Sequence, residues 1–380
     1  MTTLFSELTI RDVRVKNRII ASPMWQYRGE RGFPTDWHLI NLGRLADGGA
    51  GLVFQEGTGV ERRGCGTVGD IGLWDDVFIE PLRRLVSAIR NCGAVPGIQL
   101  MHAGRKARQR RPWEGRGPLE RTPDIADWDE WQVIGPSAIA QDENCPVPVE
   151  MSLSDIADVT RAWIAAAERA VKIGYDVLEI HGAHGYLLHQ FLSPAANVRG
   201  DRYGGSFENR TRLLLEICEG IRAVWPAGKP LFVRLSCVDE AGWTIEDSVA
   251  LATILGKLGV DVIDCTSRGI IGSPLGGRTL DYGYQVEYAS RIRRAANIKT
   301  AAVGLIVHAD QAEQILENGD ADFVALAREL MYNPNWPVDA AQKLGIEQPF
   351  SVVSPKLGFW LQHRSRSFPD FTPSTTPRKK

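Results

Sequence analysis

Short apolar runs rich in β-branched residues recur along the chain and predict parallel strands buried on both faces. Eight such runs occur, at residues 18–24, 50–57, 94–100, 176–181, 230–236, 261–267, 299–304 and 322–328. Helical patterns lie between most of them. This alternation predicts an α/β protein of the (β/α)8 TIM-barrel type, with a doubly wound sheet as the alternative.

Several of the predicted helices carry start or stop signals. Apolar positions within 82–89 recur with helical spacing, and a second helix over about 154–173 stops at Gly174. Thr244 and Asp247 form a capping-box pattern at the start of a third helix. These signals support helices between strands, as a barrel requires.

We expect the chain to form a single domain, 1–380, that opens with a hairpin. Two segments depart from the alternation of strands and helices. Residues 105–151 contain many prolines, tryptophans and charges, and they follow the third predicted strand. Loops at that position lie on the C-terminal face of a barrel, so we expect this insertion to cap the site. The tail, 345–380, is aromatic and basic, and we expect it to dock on a neighbouring subunit.

Composition narrows the range of partners and locations. The chain has 44 Lys and Arg against 46 Asp and Glu, a formal charge of −2, and no basic block that would indicate nucleic acid. No apolar run reaches the length of about 18 residues that a membrane helix needs, and the N-terminal residues do not resemble a signal peptide. The six cysteines form no C-x-x-C pair. We therefore expect a cytoplasmic protein with reduced thiols.

An unusual cluster of histidines, His181 and His184 with Tyr186, follows the fourth predicted strand. A metal site is disfavoured because no carboxylate or cysteine stands at ligand spacing beyond the histidines, so no metal is expected. Neutral imidazoles can instead donate hydrogen bonds to a carbonyl or phenolate oxygen while the tyrosine supplies a proton. Arg234 lies in the middle of a buried strand and needs an anionic or acceptor partner, for which a bound ligand is a candidate.

The last two predicted strands indicate a phosphate site. Gly304 follows the seventh strand, and Ala327 and Arg328 follow the eighth, where many barrels bind a phosphate. Backbone N–H groups and a guanidinium suit a dianion. Together with Gln99 and Arg234, these residues suggest a long ligand with a phosphate at one end and a polar ring at the other.

Seven segments resemble the old yellow enzyme family of FMN-dependent ene-reductases, and the resemblance covers about residues 4–340. The block "EIHGAHGYLLHQFLSPAANVRGDRYGGSFENRTRLLLE" (179–216) is the most specific of them. The others are "KNRIIASPM" (16–24), "PTDWHLINLGRLADGGAGLV" (34–53), "IQLMHAGRKA" (98–107), "GPSAI" (135–139), "AVGLI" (302–306) and "ADFVALARELMYNPNWP" (321–337). The insert "PWEGRGPL" (112–119) resembles the bacterial, thermophilic-like branch.

The resemblance implies a role for each matching residue. The flavin ring would lie against Pro23, Met24, Trp25 and Gly57, its pyrimidine edge against Gln99 and Arg234, and its phosphate against Gly304, Ala327 and Arg328. His181 and His184 would bind the oxygen of an α,β-unsaturated carbonyl, Tyr186 would protonate its α-carbon, and Tyr27 would shape the pocket or bind the substrate. NADPH or NADH would reduce the flavin at the same site, which gives ping-pong kinetics.

Three positions depart from the family's pattern. Trp25 stands where this branch usually has Cys, and Gly57 and Ala327 replace an alanine and a glycine. The bulk of Trp25 is expected to alter the redox behaviour of the flavin and the range of substrates. The small Gly57 could restore some of the pocket volume that the indole occupies. Trp360, or alternatively Arg364, resembles a residue that such enzymes insert into a neighbour's active site, which implies a homodimer or larger assembly.

The resemblance favours an NAD(P)H-dependent enzyme that reduces activated C=C bonds of electrophilic alkenes. Three other functions are less well supported by the residues. A desaturase or demethylase would carry an iron–sulfur cysteine cluster, and a flavin-binding protein whose turnover Trp25 limits would not need the intact histidine cluster. A sugar-phosphate barrel enzyme without flavin would not need Gln99 and Arg234 together.

Overall fold

The strands of the protein follow the predicted apolar runs closely in the computed structural model, which describes residues 2–115, 117–271 and 280–369. In chain order they are β1 (Leu8–Ile10), β2 (Val13–Val15), β3 (Ile19–Ala21), β4 (Leu52–Gly59), β5 (Val95–Met101), β6 (Ile134–Gly135), β7 (Val149–Glu150), β8 (Val177–Gly182), β9 (Leu231–Ser236), β10 (Val262–Thr266), β11 (Lys299–Ala302) and β12 (Phe323–Leu326). Each of the eight predicted strands overlaps one of these.

Eight parallel strands close into a barrel in the order β10-β11-β12-β3-β4-β5-β8-β9, and β9 pairs with β10 to complete it. The register places His181 beside Arg234 and Arg234 beside Asp264 on neighbouring strands. The closed barrel confirms the (β/α)8 prediction and excludes the doubly wound sheet. Antiparallel β1 and β2 form the expected N-terminal hairpin.

The helices surround the barrel and connect its strands. They are α1 (Asp36–Asp47), α2 (Ile79–Asn91), α3 (Leu153–Ile173), α4 (Leu187–Leu192), α5 (Phe207–Val224), α6 (Ile245–Lys257), α7 (Val286–Ala296), α8 (Ala309–Glu317), α9 (Arg328–Tyr332), α10 (Trp336–Lys343) and α11 (Pro355–Ser367), with short 3-10 turns at 62–64, 76–78, 104–106, 112–114 and 349–352. Gly174 ends α3 at φ 99°, in the left-handed region that glycine adopts readily. The Thr244 hydroxyl accepts the Asp247 N–H at the start of α6, so the predicted capping box is confirmed.

The barrel interior is apolar at one end and charged nearer the other. Side chains at alternate strand positions point inward, and Val177, Phe232 and Val262 belong to one buried apolar cluster. Two residues further along the same strands, the inward positions are Glu179, Arg234 and Asp264. Charged groups therefore replace the apolar layer toward the carboxyl ends of β8, β9 and β10.

The segment 105–151 has little regular structure. Its two-residue strands β6 and β7 pair in parallel. Trp131 is fully buried and its indole N–H donates to the Cys65 carbonyl at 3.0 Å, while the Arg62 guanidinium lies 3.7 Å from the centre of the same ring. The segment is thus fixed to the loop after β4. Arg116 lies outside the described residues, as do residues 370–380 of the tail.

Candidate active site

The predicted site residues lie at or just beyond the carboxyl ends of the barrel strands, on one rim. The polypeptide after β3 carries residues 23–27, and an irregularity in the pairing of β4 with β5 between Gln55 and Thr58 contains Gly57. The remaining positions follow from the strand bounds: Gln99 on β5, His181 on β8, Arg234 on β9, Gly304 after β11, and Ala327 and Arg328 after β12. The fold therefore brings these residues, which are distant in sequence, to one face.

One cavity of about 350 Å³ opens on this rim, and residues predicted to bind the ring and residues predicted to bind the phosphate both line it. His184 and Arg234 line one part, and Gly304, Ala327 and Arg328 line another. Sequence reasoning missed several of its lining residues, among them Ser22, Thr266, Ser267, Tyr284 and Gln285. A single cavity with a guanidinium in each part fits a long ligand that has a polar ring and a phosphate.

The histidine cluster is a compact group of rings. The ring centres of His181 and His184 are 5.2 Å apart, and the Tyr186 ring lies 4.9 Å from His181. Burial, together with the nearby Arg234 charge, holds the pKa of both imidazoles well below 6.5. Both imidazoles are therefore neutral at physiological pH.

Hydrogen bonds constrain where the imidazole protons lie. Nδ1 of His181 accepts the Ala183 N–H at 3.2 Å, so the ring proton of neutral His181 is on Nε2. Nε2 of His184 lies 3.0 Å from the Thr266 hydroxyl, and the Ser236 hydroxyl accepts the His184 backbone N–H at 2.9 Å. Residues of β9 and β10 thus orient the second histidine.

Tyr186 packs beside Trp25 at the rim. Their ring centres are 5.1 Å apart, and Trp25 also contacts Tyr27, at 5.6 Å. Burial of the hydroxyl, more than any single nearby charge, raises the pKa of Tyr186 well above 10. The phenol therefore keeps its proton over the physiological range and can donate it.

Trp25 and Gly57 are joined by a hydrogen bond, and the missing side chain of the glycine leaves space for the indole. The Trp25 indole N–H donates to the Gly57 carbonyl at 2.8 Å. A Cβ atom built on Gly57 would lie 2.9 Å from that indole nitrogen and 3.1 Å from Met101 Cγ, which is closer than ordinary contact allows. The two departures from the family pattern are therefore one structural unit, and the glycine makes room for the indole.

Arg234 has an anionic partner within the protein. Its Nε is 3.3 Å from the Asp264 carboxylate, and its Nη1 donates to the Ser22 hydroxyl at 3.1 Å. Gln99 donates to the buried Glu179 carboxyl at 2.7 Å. Glu179 and Asp264 carry the same signal as Arg234, since each places an ionisable group inside a buried strand. Sequence reasoning used that signal only for the arginine.

The part of the cavity that the sequence predicted to bind a phosphate is lined by Gly304, Ala327 and Arg328. Gly304 has φ 104°, and a Cβ there would lie 2.8 Å from the Gln285 side-chain nitrogen. Ala327 has φ −113°, outside the left-handed region, so an alanine is compatible with the turn. Arg328 begins α9 directly after it. The glycine, the turn and the guanidinium are thus placed together, as a phosphate site requires.

The structure does not bring Trp360 to the site of its own chain. Trp360 lies on α11, is 66% exposed, and its ring contacts are with Phe359 and His363. Its insertion into a neighbouring site stays a prediction. Within the described ranges, no group of three or more His, Cys, Asp or Glu side chains could hold a metal, and no helix is both long and apolar enough to span a membrane.

Comparisons with known proteins identify the class to which the fold and site belong. The model of the NADH:flavin oxidoreductase / NADH oxidase family matches residues 3–347. The chain is 44% identical over 355 residues to an NADPH dehydrogenase of Geobacillus sp. (strain WCH70), a match that covers 92% of this chain and 97% of that protein. The chain therefore belongs to this family.

Solved structures show the same fold. A complex of 2-naphthoyl-CoA reductase with 2-naphthoyl-CoA superimposes with a TM-score of 0.79 and 25% identity over 93% of this chain, which spans only about half (54%) of that enzyme. An old yellow enzyme homologue from Zymomonas mobilis gives a TM-score of 0.74 and 25% identity, with 90% of this chain and 93% of that one covered. The predicted old yellow enzyme family is confirmed, and the protein is an FMN- and NAD(P)H-dependent oxidoreductase.

Proposed function

We propose that the protein reduces the activated C=C bond of an α,β-unsaturated carbonyl or related electrophilic alkene. The observation that carries this proposal is the neutral cluster of His181, His184 and Tyr186 beside the cavity that Arg234 and Arg328 line. When bound, FMN supplies the hydride that NAD(P)H delivers to it. The chain's own residues then have to orient the alkene, polarise it and donate a proton.

The arrangement of the rim supports one orientation for FMN. We assign the ring to Pro23, Met24, Trp25 and Gly57, and the phosphate to Gly304, Ala327 and Arg328. Gln99 and Arg234 would contact the pyrimidine edge, where a guanidinium favours the negative charge of the reduced ring. Support comes from the continuous cavity that joins Arg234 to Arg328.

His181 and His184 would bind the carbonyl oxygen and polarise the alkene. For His181 the proton on Nε2 is available to do so, since Nδ1 already accepts a backbone N–H. For His184 the Thr266 hydroxyl would donate to Nε2, which leaves the proton on Nδ1 for the substrate. Each imidazole then donates without carrying a charge, and polarisation of this kind typically contributes a factor of about 100 to 1,000 in rate.

Tyr186 would protonate the α-carbon from the face opposite the hydride donor. Its raised pKa keeps the proton in place until the substrate takes it. Tyr27 would complete the pocket, because it contacts Trp25 and lies 5.7 Å from Trp113 of the segment 105–151. Through that contact we assign this segment a covering role over the site.

An anaerobic two-step experiment tests the proposal. NADPH should bleach the flavin of the FMN-loaded protein, and an enone should then restore its colour. His181→Ala should bind FMN and bleach normally but reoxidise with the enone roughly 100-fold more slowly, because a donor to the oxygen is lost. His308→Ala, a histidine of the α8 N-terminus outside the cavity, is the matched control. Enone turnover at the wild-type rate in His181→Ala would refute the role of His181 as a hydrogen-bond donor to the carbonyl oxygen.

A second candidate function is flavin binding with restricted turnover, which the position of Trp25 favours. Its ring lies between Tyr186 and Tyr27 and is bonded to Gly57, so it occupies volume that a cysteine would leave open. In that case dithionite, but not NADPH, would bleach the flavin. Trp25→Cys should then raise the bleaching rate by NADPH, and an unchanged rate would rule out Trp25 as the restriction.

A further inference from the structure

Three ionisable side chains are enclosed together beneath the rim. Glu179, Asp264 and Arg234 are 0%, 3% and 8% exposed, and the next inward layer of the same strands is apolar. If all three were charged, the group would carry a net negative charge inside the barrel. A buried charge without compensation is strongly unfavourable, so the protonation state of the two acids requires an explanation.

Within this group, two carboxyl oxygens and the Arg234 Nε have no hydrogen-bond partner among the described residues. Glu179 Oε1 accepts from Gln99, and Asp264 Oδ2 faces Arg234. Glu179 Oε2 and Asp264 Oδ1 have no donor among the described residues. The two acids lie on the strands to either side of β9, which carries Arg234, and each affects the ionisation of the other. Two carboxylates only accept hydrogen bonds, so a single proton between them would satisfy both oxygens.

The surroundings favour retention of that proton. Burial, followed by the nearby Asp264 charge, raises the pKa of Glu179, and burial also raises the pKa of Asp264 against the opposing effect of Arg234. The groups that face the pair from neighbouring strands are Arg234 on β9 and the uncharged Gln99 on β5. His181, further along β8, is neutral. One proton on the pair balances the arginine charge.

We propose that Glu179 and Asp264 share one proton and act as positioning residues for Arg234 and Gln99, so that their common charge sets the electrostatic field on the bound flavin. The proposal rests on the placement of Arg234 and Gln99 at the pyrimidine edge given above. It adds a proton-binding group to the reaction: NAD(P)H supplies both electrons as hydride, and solvent supplies the proton that the pair binds.

The sign of the effect follows from linkage. Reduction adds negative charge to the flavin, which raises the proton affinity of the acid pair beneath it. At alkaline pH the pair of the oxidised protein has lost its shared proton, and reduction restores it. Reduction therefore becomes more difficult as the pH rises, by tenfold in its equilibrium constant for each pH unit, which is about 30 mV for a two-electron couple.

Glu179→Gln gives a direct test, because glutamine reproduces the hydrogen bonds of a protonated glutamate but does not ionise. The flavin reduction potential of both FMN-loaded proteins would be measured by dye equilibration from acid to alkaline pH. The potentials should coincide at acid pH, and the wild-type potential should fall below that of the variant at alkaline pH with the additional slope stated above. Parallel curves over the whole range would overturn the proposal.

Glu313→Gln is the matched control, because Glu313 is also buried and accepts two backbone N–H groups at the N-terminus, and it does not line the rim cavity. Its potential should follow the wild type at every pH. If Glu179→Gln does not fold, an infrared difference spectrum of the wild type on reduction decides: a protonated-carboxyl band that gains intensity at alkaline pH supports the pair, and its absence overturns it. Failure of NADPH to bleach the wild type would instead count against the proposed function.

Discussion

At the scale of single residues, the Trp25 indole and the missing side chain of Gly57 define the shape of the rim. The resemblance identified both positions as unusual, but only the structure shows that the indole N–H bonds the Gly57 carbonyl and that no methyl group fits beside it. Sequence reasoning could suggest compensation of volume. It could not predict the hydrogen bond, because Gly57 lies 32 positions away, on β4, whereas Trp25 lies in the loop after β3.

A double-mutant cycle tests this pairing. Gly57→Ala should destabilise the protein by roughly 1–3 kcal/mol, because the added methyl overpacks the indole. The same substitution in a Trp25→Cys background should cost clearly less, since the indole is gone and only the contact with Met101 and Gln99 stays tight. Urea unfolding of the four FMN-free proteins measures the coupling energy. Equal effects of Gly57→Ala in both backgrounds would show that the two residues act independently.

The protonation states of the histidine cluster predict a flat pH profile. Burial and the Arg234 charge hold the pKa values of His181 and His184 well below 6.5, so acidification through pH 6.5 should not charge them. The pKa of Tyr186 is raised, so its proton should persist to about pH 9. Stopped-flow reoxidation of the reduced protein by an enone should therefore show no ionisation from these groups in that interval. NMR signals of the His181 or His184 ring that titrate near pH 6.5 would mean that an imidazole is charged, whereas a rate loss alone would not separate them from Lys106 and Asp70, whose pKa values burial moves to about 7 and about 6.

At the scale of secondary-structure elements, the loops after β8 and β10 meet backbone to backbone. Gly269 has φ 106°, and a Cβ there would lie 2.5 Å from the His184 carbonyl carbon. His184 itself adopts φ 57°, and Lys106 donates to the carbonyls of both His184 and Gly269. The position of the second histidine thus depends on a neighbouring loop.

Gly269→Ala should separate this positioning from simple strain. Both Gly269→Ala and the control Gly174→Ala place alanine at a positive φ and should lose about 1 kcal/mol or more of stability. Only the first also pushes against His184, whereas a Cβ on Gly174 meets no atom within 4 Å. Enone turnover should fall by about 100-fold in Gly269→Ala alone. Similar turnover in both variants would show that the loop contact does not position His184.

The sequence predicted the secondary-structure elements better than it predicted the contacts between side chains. The barrel strands were identified because parallel strands buried on both faces form continuous apolar runs. The helices α4 and α9, of six and five residues, are too short to show a period, and they were not predicted. Glu179 and Asp264 were missed because their partnership depends on how β8, β9 and β10 align, which no local pattern records.

At the scale of the whole molecule, a single chain forms the barrel and its rim. The predicted role of the tail, in contrast, requires a second chain. Phe359 and Trp360 of α11 are 64% and 66% exposed, and a groove of about 420 Å³ runs between α11 and residues 348–353. Such exposure agrees with the predicted docking of the tail on a neighbour. The predicted homo-oligomer can be measured directly by light scattering.

Mixing two variants tests whether Trp360 acts in the neighbouring site. Trp360→Ala should weaken substrate binding, and His181→Ala should lack turnover while its tail stays intact. After subunit exchange, an excess of His181→Ala chains should raise the activity of each Trp360→Ala chain, because the intact tryptophan reaches the competent site from its neighbour. Activity that stays at the level of Trp360→Ala alone would place the role of Trp360 within its own chain, or remove it.

The bond between the Trp25 indole and the Gly57 carbonyl also constrains how this chain could exchange residues with relatives that carry cysteine and alanine at these places. Replacement of the indole first only opens space, whereas introduction of the methyl first creates a collision. Stepwise evolution toward the common pair would therefore proceed in one order. A screen of single-site libraries, each varying one of the two positions, would therefore discard alanine at position 57, although the double replacement would be accepted.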